Sequence, residues 1–194
     1  MEPLLPLPQN ARSALVIVDM QEFFFRTPER RRNLETVTAN INRLVRHFEA
    51  QRLPIFHIVT RYRADGSDWD LKMRTSGKPE LIAGTPETDI LPHIAVSAHH
   101  TIVTKTRYSA FFKTELAEIL RKHQIHRVVV VGAYTHYCVN ATVFDAYCHD
   151  FIPCVVRDAT ISHLGHEAEL MIERMRRNGY HVLSTSEYLA ENSE

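Results

Sequence analysis

Arg127-Val128-Val129-Val130-Val131-Gly132 is the stretch whose reading decides the fold. Four successive valines form a β-branched run that does not alternate with polar residues. Such a strand expects apolar cover on both faces, as in a parallel sheet sandwiched between helices. The same pattern repeats outward along the chain. Residues 13–19 (SALVIVD), 54–60 (PIFHIVT), 101–105 (TIVTK), 151–157 (FIPCVVR) and 180–184 (YHVLS) read as further strands. Between them, residues 30–51 place Val37, Ile41, Leu44, Val45 and Phe48 at helical spacing, and residues 113–123 do so with Leu116, Ile119 and Leu120. Helices are also expected over 137–149, 166–178 and 185–191. Strand–helix alternation of this kind specifies an α/β fold with right-handed crossovers. Residues 61–100 stand apart, with Gly66, Gly77, Gly84, Pro79, Pro86 and Pro92 and weak periodicity. They are expected to be an irregular segment of the kind that shapes a site.

The composition fits this architecture and excludes several functions. The 194 residues suit one domain, and 44% apolar with 24% charged residues is ordinary for a globular chain. Lys and Arg number 23 and Asp and Glu number 23, so there is no global basic field of the kind nucleic-acid binders use. No apolar run is long enough to cross a membrane, and the prolines of the N-terminal MEPLLPLPQNARS interrupt any short signal-like core. Three cysteines, Cys138, Cys148 and Cys154, do not form a disulfide framework; a reduced, cytoplasmic protein is expected. There is no GxGxxG or P-loop motif.

In open α/β sheets, ligands bind beyond the carboxyl ends of the strands. Three reactive side chains fall there. Asp19 ends the first strand, Lys105 ends the third, and Cys138 follows the valine strand where the next helix begins. A helix start lowers a thiol pKa and offers N–H groups to a developing oxyanion. A carboxylate at the end of a buried strand is a candidate general base, and a lysine is long enough to reach it across an intervening strand. Taken singly, each has a plain structural reading: a buried apolar cysteine, a turn-capping aspartate, an ordinary strand-end lysine. Together they pattern as acid, base and nucleophile for acyl transfer. Cys148 and Cys154 read as structural. His57, His93, His99 and His100 have no metal-site spacing and read as core or solvated histidines. His136 reads as a rim residue, and Arg30-Arg31-Arg32, flanked by Glu29 and Glu35, as a solvated helix start.

These residues resemble the isochorismatase-like cysteine hydrolases, a family that includes nicotinamidase, N-carbamoylsarcosine amidase, biuret hydrolase and ureidoacrylate amidohydrolase. The resemblance rests on Val18-Asp19-Met20-Gln21 with Phe24, on Lys105-Thr106-Arg107-Tyr108-Ser109-Ala110-Phe111, on Gly132-Ala133-Tyr134-Thr135-His136-Tyr137-Cys138-Val139, and on Asp145-Ala146 and Asp158-Ala159. It covers roughly residues 10–185. It implies a Rossmann-like, three-layer α/β/α domain over residues 1–194, with six parallel strands in the order 3-2-1-4-5-6. It also implies a catalytic triad of Asp19, Lys105 and Cys138, and a cis peptide at Ala133–Tyr134 with the amides of Tyr134 and Cys138 as oxyanion donors. Assembly as a homodimer or homotetramer is implied as well. Phe24, Tyr108 and Tyr134 are expected to touch substrate, and Arg107 to anchor a substrate carboxylate.

Two departures narrow the expectation. Nicotinamidases carry an Asp-x-His pair after the second strand that helps hold a metal. Here Thr60-Arg61-Tyr62-Arg63-Ala64-Asp65 has no histidine, so no metal or other cofactor is expected. The founding isochorismatases cleave a vinyl ether and usually lack the cysteine that Cys138 provides. The leading expectation is therefore a cysteine hydrolase acting on a C–N bond of a small amide or carbamoyl compound, with no nucleic-acid or membrane partner. A vinyl-ether hydrolase and a catalytically silent scaffold of the same fold are the alternatives.

Overall fold

A computed structural model describes residues 4–192; the first three residues of the N-terminal stretch lie outside the described residues. Strands β1 (Ser13–Val18), β2 (Ile55–Thr60), β3 (Thr101–Lys105), β4 (Arg127–Ala133), β5 (Ile152–Ile161) and β6 (His181–Leu183) form one parallel sheet in the order β3-β2-β1-β4-β5-β6. Helices α1 (Leu34–Ala50), α2 (Leu71–Ser76), α3 (Leu116–Lys122), α4 (Asn140–Cys148), α5 (Gly165–Arg177) and α6 (Thr185–Glu191) complete it. The order reverses direction at β1, so the crevice at the β1/β4 switch point is where a ligand site is expected.

The valine strand behaves as its sequence requires. All seven residues of β4 are buried. Val129 and Val131 pack with Leu15 and Ile17 against Ile41, Leu44, Val45 and Phe48 of α1. Val128 and Val130 face the other way, packing with Val16 and Val18 against Leu116 and Leu120 of α3 and Val143 and Ala146 of α4. Each such side chain contributes about 1.5–3 kcal/mol by leaving water. Edge strand β3 alternates instead, with Thr101, Ile102 and Thr104 exposed and Val103 and Lys105 buried.

Elsewhere the boundaries move for local reasons. Helix α1 begins at Leu34 because Asn33, at φ +66°, turns the chain by a left-handed residue immediately before it. Residues 61–100 are not wholly irregular, since they contain α2 and a short 3-10 turn at Pro86–Thr88. Helix α2 buries only Met73, which leaves no apolar periodicity to read. It is fixed instead by its ends: Asp70 accepts a hydrogen bond from Met73 N–H, and Gly77 closes it in the left-handed conformation. Strand β5 runs four residues past Arg157 to Ile161, through a register shift opposite Val130 and Gly132 that polar Asp158 and Thr160 conceal in the sequence.

Gly132 is where the fold requires a glycine. Its φ is +108°, and a Cβ there would lie 2.1 Å from the Val18 carbonyl oxygen and 2.7 Å from Val18 N. Neither backbone atom can move without breaking the β1–β4 ladder. Gly132→Ala is therefore expected to destabilise the chain by about 3 kcal/mol or more, measured by urea denaturation.

His57 sits in the middle of β2, with 1% of its surface exposed. Burial, with His100 beside it, holds its pKa down to about 4. The unfolded chain takes up this proton near pH 6.5 and the native chain does not, so His57 stabilises the fold above pH 6.5. That contribution is lost as pH falls toward 4, at about 1.4 kcal/mol per pH unit. Urea midpoints between pH 7 and 5 should show this slope, and His57→Asn should flatten it.

Candidate active site

Asp19 is the first residue beyond β1, and its backbone is in the left-handed region at φ +51°. Aspartate tolerates that region better than most residues. The chain is still in the sheet there, since Asp19 N–H donates to the Ile58 carbonyl at 2.9 Å. Lys105 closes β3, two strands away. Its side chain crosses both spacings of about 4.8 Å and places Nζ 2.7 Å from Asp19 Oδ2. The same Nζ donates to Cys138 Sγ at 3.5 Å. Cys138 lies in a π-helical turn, Thr135–Val139, that connects β4 to α4. The structure thus brings the three strand-end residues together, with Asp19 0%, Lys105 2% and Cys138 6% exposed.

Two members of this cluster were not visible as site residues in the sequence. The Thr60 hydroxyl accepts from Lys105 Nζ at 2.7 Å and donates to Asp19 Oδ1 at 2.8 Å, so it bridges acid and ammonium. Thr60 is the last residue of β2, and the strand-end rule that selects Asp19 and Lys105 selects it equally. Gln21 is fully buried and clasps that strand end. Its Nε2 donates to the carbonyls of Thr60 at 3.1 Å and Thr88 at 2.9 Å, and its Oε1 accepts from Thr60 N–H at 2.7 Å. With Oδ1 engaged by Thr60, Asp19 Oδ2 lies against the Lys105 ammonium at 2.7 Å.

Burial decides the electrostatics. It pushes the Cys138 thiol well up; the Lys105 charge pulls it back only in part, and Asp19 adds to the rise. This corrects the expectation that the helix start leaves a lowered thiol: desolvation outweighs it. Burial also opposes the charge on Lys105, but Asp19 and Cys138 more than offset it, and its pKa is raised. The resting cluster therefore holds a charged lysine and a protonated thiol. Cys154, buried in β5, is pushed up by burial to about 12 and packs as a small apolar residue. Cys148 also lies outside the cluster, but on the surface rather than in the core.

Ala133–Tyr134 is a cis peptide. The Tyr134 hydroxyl donates to the Phe24 carbonyl, and the two rings meet edge-to-face at 5.6 Å. Both are buried. Tyr108 is 59% exposed and stacks on Tyr137, next to Cys138, at 5.4 Å. With Tyr62, Leu71 and Arg107 it lines a cavity of about 610 Å³. Three of the five N–H donors of Arg107 are held by backbone: Nη1 donates to the carbonyls of Asp68 at 3.0 Å and Thr106 at 2.5 Å, and Nη2 to that of Trp69 at 3.2 Å. The guanidinium holds the cavity wall in place.

His136 points away from the thiol, with Nδ1 2.8 Å from Ser162 Oγ and Nε2 4.0 Å from Glu167. Among the described residues, no group of three or more His, Cys, Asp or Glu side chains is placed to hold a metal ion.

Residues 13–187 match the profile of the Isochorismatase domain. The chain belongs to the isochorismatase family. It is 26% identical over 179 residues to enterobactin synthase component B of Escherichia coli K12, covering 92% of this chain but 62% of that protein. The chain thus spans less than two thirds of the length of that relative. Among solved structures, it is similar to an isochorismatase family protein of Desulfovibrio vulgaris, with a TM-score of 0.84, 27% identity and coverage of 95% of this chain and 100% of that one. It is also similar to N-carbamoylsarcosine amidase of Thermoplasma acidophilum, with a TM-score of 0.76, 26% identity and coverage of 91% and 98%. Another relative, 27% identical over 168 residues and 86% of this chain, is the isochorismatase of Bacillus subtilis, of which the chain covers 54%.

Proposed function

We propose that this chain is a cysteine-dependent hydrolase that cleaves a C–N bond of a small amide or carbamoyl compound through a thioester. The observation that supports this is the single buried Lys105 ammonium in contact with both Asp19 and Cys138 Sγ. A silent scaffold has no need of a buried cation, a buried acid and a thiol at one point, an arrangement that costs desolvation free energy.

The protonated thiol sets the order of events. Cys138 is a poor nucleophile until a base removes its proton. Asp19 takes that proton as sulfur attacks the carbonyl carbon. Lys105 stabilises the anionic charge as it moves from carboxylate to sulfur. The N–H groups of Tyr134 and Cys138 receive the oxyanion of the tetrahedral intermediate. As the C–N bond breaks, Asp19 passes its proton to the leaving nitrogen, and ammonia or an amine departs. Asp19 then takes a proton from water, whose oxygen attacks the thioester carbonyl. The C–S bond breaks, the acid is released and sulfur recovers a proton.

Tyr108 and Tyr62 line the cavity that would take the substrate, and Phe24 and Tyr134 are proposed to touch it as well. No step in this scheme requires a metal or cofactor. The proposed setting is the cytoplasm, with a small-molecule substrate and a homodimer or homotetramer as the assembly.

The test is ammonia release from a panel of primary amides and carbamoyl compounds, run in parallel with isochorismate turnover. Ammonia release is expected from at least one panel member. Turnover of isochorismate alone would assign the vinyl-ether chemistry instead.

A further inference from the structure

A second cavity, of about 700 Å³, opens at the other end of the sheet, where β1, β2 and β3 begin. Ile55 lies in its wall, and Thr60 of the catalytic cluster is five residues further along β2, about 16 Å away. The cavity is therefore separate from the site described above.

Its lining includes two arginines and two histidines from four different segments. Arg12 precedes β1, Arg52 follows α1, His99 precedes β3 and His123 follows α3. The one carboxylate in the lining, Glu49, is already engaged. His100 Nδ1 accepts from Ser97 N–H at 3.3 Å, which puts the ring proton on Nε2, and Nε2 lies 3.1 Å from Glu49 Oε1. Behind it, His57 Nε2 lies 3.0 Å from His100 Nδ1 and completes the chain. Glu49, itself partly exposed, is thus held through one oxygen by His100 at the cavity floor. Among the described residues, neither Arg12 nor Arg52 has a carboxylate at ion-pair distance.

Both arginines stand on held backbone. The Arg12 carbonyl accepts from His126 N–H at 2.8 Å and Arg127 N–H at 3.2 Å. Arg52 sits in the turn that ends α1, where its N–H donates to the Glu49 carbonyl at 3.0 Å and its φ is +54°. Glycine takes that conformation more readily than any other residue. Among the described residues, no hydrogen bond or ion pair holds the Arg52 side chain.

We infer that this cavity binds a small multivalent anion, phosphorylated or polycarboxylate, between the Arg12 and Arg52 guanidinium groups. Paired guanidinium forks suit such oxygens, and the volume lies in the range of small-ligand pockets. His99 and His123 add donors at the edge.

Isothermal titration of the full chain at pH 6.5 and low salt, with pyrophosphate and with citrate as probes, tests this. At least one probe is expected to bind one-to-one, with a Kd below about 1 mM. Binding of pyrophosphate alone assigns a phosphate ligand, and of citrate alone a carboxylate ligand. Arg52→Gly removes the guanidinium while relieving the left-handed conformation, so its urea midpoint should not fall. Its affinity should drop by about tenfold or more, and that of Arg12→Gln likewise. Amide hydrolysis should be unchanged in both variants. Failure of both probes to bind the wild-type chain, or unchanged binding in both variants, would overturn the inference.

Discussion

Replacing Cys138 with alanine abolishes ammonia release while leaving the fold intact. A covalent route has no substitute for its nucleophile, so kcat/KM is expected to fall by about a thousandfold or more. The structural cost is small. Lys105 keeps its contacts with Asp19 and Thr60 in the variant, because neither depends on the sulfur. Only one weak hydrogen bond and a small apolar contact are lost, about 1 kcal/mol by urea denaturation. The expected pattern is thus a dead but stable enzyme. Turnover that survived in Cys138→Ala would assign the chemistry to Asp19 and Lys105 without a thioester.

Lys105→Met has the opposite signature, losing both activity and stability. Methionine matches the apolar length of lysine but leaves Asp19 buried without its cation, keeping the Thr60 hydroxyl. Breaking one side of a buried ion pair costs about 3–5 kcal/mol. The pH dependence separates this from a packing defect. Because Lys105 is held above its ordinary value, the pair contributes fully below the unfolded lysine pKa of about 10.4 and fades only as pH rises through the higher folded value. In Lys105→Met the buried Asp19 has lost its cation and takes up a proton more readily as pH falls, so the stability gap should narrow from pH 9 toward 5, whereas a packing defect would leave it constant. In Asp19→Asn/Lys105→Met part of the loss should return, since the stranded acid is gone. A simple sum of the two single losses would mean that the residues are not coupled.

The parts of the molecule legible in its sequence are those governed by short-range pattern. The valine run of β4 announced two-sided burial, and Val37, Ile41, Leu44, Val45 and Phe48 marked the buried stripe of α1. Asp19, Lys105 and Cys138 were legible because a parallel sheet carries its strand ends to one rim, whatever their separation in sequence. Other features depend on tertiary context. Helix α2 is fixed by Asp70 and Gly77 at its ends rather than by an apolar stripe. The Thr60 bridge and the Gln21 clasp exist only once β2 lies between β1 and β3. The backbone carbonyls of Asp68 and Trp69 that hold Arg107 in place come from a loop no pattern in the sequence brings to it. The thiol illustrates competition between effects. The turn before α4 suggests a lowered pKa, but nearly complete burial reverses it, and only the environment in three dimensions decides which wins.

The central claim is that Cys138 carries the acyl group between C–N cleavage and hydrolysis. Rapid acid quench of wild-type protein with an amide it hydrolyses, followed by intact mass and peptide mapping, addresses it directly. A mass increase equal to the acyl group, located on Cys138, is expected with the first equivalent of ammonia and is expected to be absent from Asp19→Asn. A first equivalent of ammonia released from unmodified protein, or an adduct on Cys148 instead, would contradict it.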